Sequence, residues 1–345
     1  MTKPITIVGG GLAGLTLGIG LRQRGVPVTL WEAGRYPHHR VCGEFISGRG
    51  LESLDRLGLR RLLEAAGAVT ARTAAFFSTT RSAPARPLPS AALCLSRHVL
   101  DDLLAKAFCQ AGGELHTGAR WTGREFSEGI VRATGRRAQP EENGVRWFGL
   151  KIHARNVTLT ADLEMHMSPN GYVGLCRLIG GEVNVCGLFR RGEEADAGDG
   201  RARERLRGRP GSPLHQRLSA AEFDEDSLCA VAGLSLRPHR AGERGEFCVG
   251  DAITMIPPVT GNGMSMAFES AELALEPLTR WSRGEISWPA AQQTLARRCD
   301  AAFARRLAWA RWLQTLLLSA RWQRPLLFLA GRSDWLWRFW FGRTR

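Results

Sequence analysis

The chain has 345 residues, of which 44% are hydrophobic and 23% are charged, and its formal net charge is +14. This composition is typical of a globular protein with about two domains, and it excludes a disordered or fibrous chain. Lysine occurs only at positions 3, 106 and 151, so arginine supplies almost all of the positive charge. An arginine bias of the whole composition is weak evidence for nucleic-acid binding, and we expect no nucleic-acid partner.

The eight cysteines are spread along the sequence without a Cys-x-x-Cys pair. This spacing argues against a zinc site and a disulfide scaffold, so we predict reduced thiols, a cytoplasmic location and no metal. The chain enters an apolar run at Ile5, and we therefore expect no secretory signal. Residues 4–21 carry no charge, but their six glycines favour a strand, a turn and a helix over a membrane span.

The pattern of apolar residues predicts a βαβ unit at the start of the chain, with strands at 5–8 and 28–31. Between these strands, residues 9–14 form a glycine turn and residues 15–24 a helix. Further helices are predicted at 51–66, 97–111 and 264–278, a buried strand at 247–250, and short strands or loops at 73–95.

Beyond a polar connector at 132–144, the pattern changes to strand-like runs at 148–153, 161–167, 172–178 and 182–189. Turn residues separate these runs, which is typical of an antiparallel sheet. Residues 192–209 are charged and rich in glycine, and they fit a loop or a short helix. The sequence therefore predicts a mostly antiparallel sheet inserted into an α/β chain.

The glycine turn has the spacing Gly9-x-Gly11-x-x-Gly14, and Glu32 ends the second strand. The first glycine permits a tight turn, the second lets the backbone approach a pyrophosphate, and the third lets helix and strand pack closely. Backbone amides around Ala13 face the phosphates, and Glu32 accepts hydrogen bonds from ribose hydroxyls. With strand, helix and acid in register, the pattern predicts a dinucleotide site.

Three further motifs follow in order: Arg40-x-Cys42-Gly43-Glu44, then Ser96-Arg97 ahead of a helix, then a glycine-rich segment near residue 250. That last segment reads Gly250-Asp251-Ala252, Pro257-Pro258 and Gly261-Asn262-Gly263-Met264. With the glycine turn, these motifs resemble the p-hydroxybenzoate hydroxylase and geranylgeranyl reductase superfamily of FAD-dependent oxidoreductases, which includes the group A flavoprotein monooxygenases. They span residues 5–275.

The resemblance implies non-covalent FAD, with Asp251 at the ribityl hydroxyls and the turn 261–263 near the flavin pyrimidine edge. A helix N-terminus there complements the negative charge of reduced flavin. The implied cofactor-binding residues are Gly9, Gly11, Ala13, Gly14, Glu32, Arg40, Arg97, Asp251, Pro258, Gly261, Asn262, Gly263 and Met264. Arg40 and Arg97 also fit solvated surface charges.

The resemblance also implies an α/β fold in which a Rossmann-like FAD-binding domain carries the inserted sheet as its substrate domain. We assign residues 1–72, 96–143 and 240–300 to the FAD-binding domain, and residues 73–95 and 144–239 to the substrate domain. Residues 301–345 form a helical tail rich in tryptophan and arginine.

The favoured reaction is hydroxylation of an apolar aromatic or phenolic small molecule, lipid-like substrates included, with NAD(P)H and O2 as co-substrates. We expect such a reaction to belong to secondary metabolism. No second dinucleotide motif follows a strand, which argues against a separate NAD(P)H domain. The resemblance implies that NAD(P)H binds transiently as reductant, and a partner that supplies the electrons is the alternative. Two departures from the hydroxylase pattern stand out: residues 133–136 replace its Asp-Gly pair, and residues 115–131 are short for its three-stranded meander.

Candidates for a catalytic group are Cys42, Glu44 and His166, with His153 as a second possible base. Histidines on the solvent face of a strand, and Cys42 as a small core residue, are the alternatives.

Three other functions compete. Cys42-Gly43 is similar to the Cys-Gly-Gly of geranylgeranyl reductases, which reduce C=C bonds of prenyl and other apolar substrates, although Glu44 replaces the last glycine. Flavin-dependent halogenases carry a Trp-x-Trp-x-Ile-Pro motif and an active-site lysine; here Arg338-Phe339 follows Trp335-Leu-Trp337 and no lysine is suitably placed, which disfavours halogenation. A membrane-associated flavoprotein subunit without turnover of its own is the third.

The tail holds six of the eleven tryptophans, interleaved with arginines, and Asp334 is its only acid. Such a segment favours peripheral contact with a membrane, at its inner face for a cytoplasmic protein. A pair of helices packed over the substrate domain is the alternative, and either arrangement could roof an apolar tunnel. The oligomeric state is left open by the sequence.

Overall fold

The computed structural model describes residues 2–79, 82–123, 125–136, 146–191, 199–237, 239–319, 321, 322, 325 and 333–344. The strands are β1 (Ile5–Val8), β2 (Val28–Glu32), β3 (Phe45–Ile46), β4 (Val69–Phe77), β5 (Arg86–Cys94), β6 (Glu114–Thr117), β7 (Ile130–Arg132), β8 (Arg146–Arg155), β9 (Leu163–Ser168), β10 (Gly171–Arg177), β11 (Val183–Arg191), β12 (Glu222–Leu234) and β13 (Phe247–Cys248). The helices are α1 (Leu12–Arg22), α2 (Arg49–Arg56), α3 (Arg60–Ala65), α4 (Arg97–Gln110), α5 (Asp199–Arg207), α6 (Pro213–Arg217), α7 (Gly263–Ser282), α8 (Trp288–Leu317) and α9 (Asp334–Thr344).

A parallel five-stranded sheet in the order β13-β7-β1-β2-β6 carries the predicted βαβ unit. Apolar strands such as β1 are buried on both faces because helices cover both sides of a parallel sheet. The helix α1 packs against α4 and α7 and forms part of the largest apolar core. The α/β fold with a Rossmann-like half is confirmed.

The first helices differ from the prediction at their ends. Helix α1 begins at Leu12 rather than at residue 15, so Gly14 lies inside it. A Cβ on Gly14 would stand 2.0 Å from the carbonyl oxygen of Gly9, which shows that this glycine serves close packing rather than the turn. The helix predicted at 51–66 is two helices, α2 and α3, because Gly58 takes a φ of +69° between them.

The second sheet has eight strands in the order β12-β8-β11-β10-β9-β4-β5-β3, and β4 pairs with β9 as its one parallel pair. The prediction of a mostly antiparallel sheet is confirmed. Residues 73–95, predicted as short strands or loops, lie largely in two nine-residue strands, β4 and β5. Strand β12 was not predicted, because its acidic first half interrupts the apolar alternation.

Both faces of the second sheet are covered. One face turns towards the Rossmann-like half, and helices α5 and α6 pack on the other, where Ile152, Val185 and Leu206 form a separate apolar core. Of the segment 192–209, the structure shows α5 from Asp199, whereas 192–198 lie outside the described residues.

The C-terminal helices pack onto the rest of the protein. Helix α8 runs for 30 residues and contacts α7, and α9 contacts α8 and β5. A bidentate ion pair buried between α7 and α8 joins Arg306 to Glu269, with N to O distances of 2.7 and 2.5 Å. Among the described residues, none of the helices has the length and apolar character needed to cross a membrane.

Candidate active site

The glycine turn after β1 is built from close backbone contacts. Gly9 has a φ of +112°, and a Cβ there would lie 2.3 Å from the carbonyl oxygen of Ala133. A Cβ on Gly11 would instead meet no atom within 4 Å. The turn therefore packs tightly against β7 on one side and opens at Gly11 on the other, as a backbone that approaches a pyrophosphate requires.

Glu32 lies at the carboxyl end of β2, and its two oxygens accept backbone hydrogen bonds. The Gly10 N–H donates to Oε2 at 2.7 Å and the Gly34 N–H to Oε1 at 2.9 Å. Each oxygen keeps a second lone pair, so the carboxylate can still accept hydrogen bonds from ribose hydroxyls. The Tyr36 hydroxyl donates to the Gly10 carbonyl oxygen at 2.5 Å and holds this corner of the cleft.

The two arginines of the later motifs converge on one buried acid. Arg97 binds Asp101 in bidentate fashion, with both N to O distances at 2.7 Å, and Arg40 Nε reaches the same carboxylate at 3.1 Å. Arg40 also lies 3.6 Å from Glu32. Asp101 thus fixes both guanidinium groups at the edge of the cleft, which excludes the interpretation of Arg97 and Arg40 as freely solvated surface charges.

Asp251 and the start of α7 lie across the cleft. Burial raises the pKa of Asp251, while the nearby Arg136 and Arg97 counteract this shift. Gly261 has a φ of +65°, and a Cβ there would stand 2.0 Å from the Phe45 ring, whereas Gly263 faces open space. The N-terminus of α7 thus opens into the cleft. The acceptors of Glu32, the open backbone at Gly11 and this helix N-terminus are the kinds of group that hold the ribose, the pyrophosphate and the flavin of FAD.

The segment from Cys42 to Phe45 leads from the cleft into β3 at the edge of the second sheet. Glu44 is fully buried and has a φ of +59°, a left-handed conformation that favours glycine. Its Oε1 accepts a hydrogen bond from the backbone N–H of Arg97 at 2.8 Å, and its Oε2 lies 2.7 Å from His153 Nε2. These contacts offset the strain of a side chain at a position where glycine would be relaxed.

A buried ionic cluster surrounds this carboxylate. Lys151 is fully buried, and its Nζ lies 3.7 Å from Glu44 Oε1 and 2.9 Å from His39 Nδ1. Burial and the positive charge of Lys151 lower the pKa of His39 to about 4, so this imidazole is neutral at pH 7. His153 Nδ1 lies 3.3 Å from Glu182, which is partly exposed, so the cluster reaches the surface.

His166 lies in a second polar cluster, on the face of the sheet away from the cleft. Its Nε2 is 2.9 Å from Glu164, which also binds Thr160 and Arg217. Hydrogen bonds from these groups hold the pKa of Glu164 at about 2 despite burial. Both His153 and His166 are buried. The alternative that these histidines lie on a solvent-exposed face of a strand is therefore wrong, because both faces of the sheet are covered.

An apolar cavity lies between the second sheet, the cofactor segments and the C-terminal helices. Its floor includes Gly43 and Phe45, and Val259 and Thr260 line it beside the α7 turn. Leu313 and Leu317 of α8 and Trp337, Trp340 and Phe341 of α9 form its roof. Helices α8 and α9 of the tail therefore cover this cavity. This agrees with the alternative in which the C-terminal helices pack over the substrate domain.

Comparisons with known proteins bear on this cleft. The family described as FAD binding domain matches residues 2–155, which hold the glycine turn, Glu32, Arg40 and Arg97. The match covers a little under half of the chain, and this N-terminal part is similar to FAD-binding domains. No curated protein matches the sequence significantly.

Solved structures of the same fold come from several flavoproteins. The flavin-dependent brominase Bmp2 is 16% identical, with a TM-score of 0.78 over 99% of this chain and 92% of that chain. A flavoprotein/dehydrogenase from Cytophaga hutchinsonii is 16% identical, with a TM-score of 0.74 over 92% and 86%. PqsL of Pseudomonas aeruginosa, solved with 2-aminobenzoylacetate, is 15% identical, with a TM-score of 0.72 over 94% and 99%. At these identities the likeness establishes the fold.

The cleft brings together the residues that the sequence motifs assign to FAD, from three distant segments of the chain. Sequence reasoning missed Asp101 as the anchor of both arginines, and Lys151, Arg136 and His39. The signal for Lys151 was its spacing of two residues from His153 in a strand, which places both side chains on one face. Arg136 follows β7 at the carboxyl edge of the parallel sheet, where cofactor sites form.

Proposed function

We propose that the chain is an FAD-dependent monooxygenase that hydroxylates an apolar aromatic or phenolic small molecule, with NAD(P)H and O2 as co-substrates. The observation that carries this proposal is the apolar cavity, which borders both segments that flank the flavin site, at Gly43 and at Val259. A cavity that excludes water beside the flavin is what oxygen transfer requires. Bound FAD would accept hydride from NAD(P)H and activate O2.

The residues of this chain would bind and orient the cofactor. Glu32 would accept hydrogen bonds from the ribose hydroxyls, and the open backbone at Gly11 would face the pyrophosphate. Asp251 would bind the hydroxyls of the ribityl chain. The N-terminus of α7 at Gly263 would stabilise negative charge on the flavin. Trp337 and Phe341 would close the substrate cavity against water. PqsL, a solved structure of the same fold, binds the small aromatic molecule 2-aminobenzoylacetate.

The cavity lining favours an uncharged substrate. Among the described residues that line it, the polar ones are Glu164, Cys176 and Thr260. Burial raises the pKa of the Cys176 thiol, and the Glu164 carboxylate accepts hydrogen bonds from Thr160 and Arg217. Neither group suits the role of a base. Of the candidates Cys42, Glu44, His153 and His166, we favour Glu44 with His153 as the acid–base pair, because these two lie within hydrogen-bond distance of each other beside the cleft, whereas His166 is on the other face of the sheet.

The reaction is tested on the FAD-loaded protein with candidate aromatic substrates, NADH or NADPH and isotopically labelled O2. Label in the product supports hydroxylation, and the preferred reductant is read from the rate of its oxidation. If NAD(P)H is oxidised in the presence of substrates that fill the cavity but no product carries the label, the proposal is contradicted. A bromide-containing assay makes halogenation a separate outcome, because Bmp2 shares the fold.

Reduction of a C=C bond is the second candidate, and the observation that favours it is the backbone at Glu44. This residue takes the glycine-like φ of +59° at the position where geranylgeranyl reductases carry the last glycine of Cys-Gly-Gly. An anaerobic assay separates the two reactions, because a reductase completes turnover without O2 whereas a hydroxylase does not. Failure of both assays would leave a flavoprotein subunit without turnover of its own.

We also propose a cytoplasmic location with peripheral contact to the inner face of a membrane. The apolar cavity favours a lipid-like substrate, and such molecules concentrate in bilayers. The C-terminal helices supply tryptophan and arginine side chains, which suit the interface between water and lipid. Fractionation of cells that express the full chain tests this location, since a protein recovered only in the soluble fraction at low salt would contradict it.

A further inference from the structure

Four aromatic rings of α8 and α9 form a continuous row, here called the aromatic ridge: Trp312, Trp309, Phe339 and Trp335. Their successive ring centroids are 5.2, 5.7 and 5.3 Å apart. Trp335 is 70% exposed and Trp312 is 46% exposed. An exposed cluster of large rings is unfavourable in water, so the ridge is a surface that calls for a partner.

The charges around the aromatic ridge are positive. The Arg343 guanidinium lies 5.0 Å from the ring centre of Phe339 and 5.8 Å from that of Trp309. Arg305, Arg311 and Arg338 are exposed on the same two helices. Asp334 is the only acid in residues 301–345, and its carboxylate pairs with Arg86. The ridge therefore complements an anionic surface.

The opposite side of α9 faces the substrate cavity. Trp337 and Phe341, one helical turn apart, are 9% exposed and line the cavity, whereas Trp335 and Phe339 are on the ridge side. The Trp337 Nε1–H donates to the Pro87 carbonyl oxygen at 2.9 Å and fastens α9 to β5. A single helix thus separates the aromatic ridge from the cavity.

We propose that the aromatic ridge docks onto an anionic lipid bilayer and places the cavity roof against the membrane, the source of the apolar substrate. The docking deepens the proposed peripheral contact by naming its surface, and the assignment of the substrate rests on the proposed reaction. Tryptophan prefers the interfacial region of a bilayer, and arginine binds lipid phosphates. The rings pack on one another, with Trp335 and Phe339 stacked at 15°, which leaves fewer free faces for stacking on nucleic-acid bases.

The test is co-sedimentation of the full, FAD-loaded chain with vesicles of phosphatidylcholine and phosphatidylglycerol, compared with phosphatidylcholine alone. We expect binding to the anionic vesicles that persists in high salt, because apolar insertion survives screening whereas phosphate contacts alone weaken steeply. The double variant Trp312→Ser/Trp335→Ser removes two exposed rings that do not line the cavity, and it should bind at least about tenfold more weakly. FAD absorbance and thermal unfolding confirm that the variant is folded.

Ile179→Ser is the matched control, because Ile179 is 58% exposed but lies between β10 and β11 rather than on the ridge. Its vesicle binding should equal that of the unchanged protein. Wild-type protein that stays in the supernatant, or a double variant that binds as tightly as wild type, overturns the proposal. Ridge-dependent binding to single-stranded oligonucleotide without vesicle binding also overturns it. Vesicle binding without labelled product refutes only the proposed reaction. Labelled product without vesicle binding refutes the docking and the peripheral location but not the reaction.

Discussion

The FAD-binding half and the second sheet hold their functional residues in different ways. In the first, positions are set by backbone contacts that only glycine permits, as where Gly9 meets Ala133 and Gly14 meets Gly9. In the second, positions are set by buried charges, with Lys151 and His153 around Glu44 on one face. The glycine turn of the cofactor site therefore depends on the absence of side chains, whereas the arginines of that site and the sheet depend on matched ion pairs.

This difference predicts different responses to substitution. A side chain added to the glycine turn prevents folding where its Cβ points into the protein, and it prevents cofactor binding where its Cβ points into the cleft. Removing one charge from the sheet leaves its partner buried and unpaired, which lowers the free energy of unfolding. A second substitution that also removes the partner charge should restore part of the lost free energy of unfolding. No second substitution can compensate in this way for a side chain added at a glycine of the turn.

The largest expected effect is on FAD binding by Gly11→Val. The backbone at Gly11 has φ −81° and ψ −174°, an extended conformation that suits valine, and the new side chain enters the open cleft. We expect a folded protein whose FAD affinity falls at least about a thousandfold, or about 4 kcal/mol. Flavin absorbance after gel filtration and titration with FAD measure this loss.

Gly14→Val is the comparison for that variant, because its side chain would clash with the Gly9 carbonyl oxygen and should disrupt the fold itself. A Gly11→Val protein with unchanged FAD affinity would show that the open side of the turn is not the pyrophosphate site.

Arg306→Met tests the joint between the cofactor half and the helices that cover the cavity. It leaves Glu269 buried between α7 and α8 without its bidentate partner, so we expect a loss of about 3 to 5 kcal/mol in stability. Chemical unfolding followed by circular dichroism measures the loss. The double variant Glu269→Gln/Arg306→Met should recover part of it. Equal stability of the single variant and wild type would mean that this pair contributes nothing to holding α8.

Glu164→Gln tests the buried charges through pH. The folded pKa of Glu164 is about 2, below its ordinary value of 4.5, so its stabilisation is present above pH 4.5 and lost as the pH falls towards 2. The difference corresponds to about 3 kcal/mol at pH 7. Urea unfolding from pH 7 to 3 should show a gap between wild type and variant that narrows below pH 4.5.

The control for the pH series is Glu52→Gln, since Glu52 is exposed in a loose pair with Arg56. It should change stability by less than about 0.5 kcal/mol at every pH. A Glu164→Gln gap that stayed constant down to pH 3 would contradict the depressed pKa.

The smallest effect is expected for Glu44→Gln. The amide keeps an acceptor for the Arg97 N–H but no longer offsets the charge of Lys151, at a cost of about 2 kcal/mol. Glu44→Gln/Lys151→Met removes both charges and should recover part of this loss, as thermal unfolding can measure. Full additivity of the two substitutions would show that the pair is not coupled.

Local sequence was enough to predict the cofactor half. The turn at Gly9 to Gly14, the helix after it and Glu32 lie within one βαβ unit, whose spacing alone brings them together. The later motifs around Arg97 and Asp251 were placed by resemblance, and the fold gathers them at one cleft. The end of α1 at Leu12 was missed because it depends on packing. The break at Gly58 was missed although a glycine that ends a helix is a local signal.

The substrate half was decided by tertiary structure. A period of two shows that Lys151 and His153 share a face, and likewise Glu164 and His166, but it does not show which face turns inward when both are covered. The contact between Glu44 and Lys151 joins residues more than a hundred positions apart, so no local pattern encodes it. In the same way the sequence determined that the tail is aromatic and basic, and only the docking of α9 decided which rings roof the cavity and which face solvent.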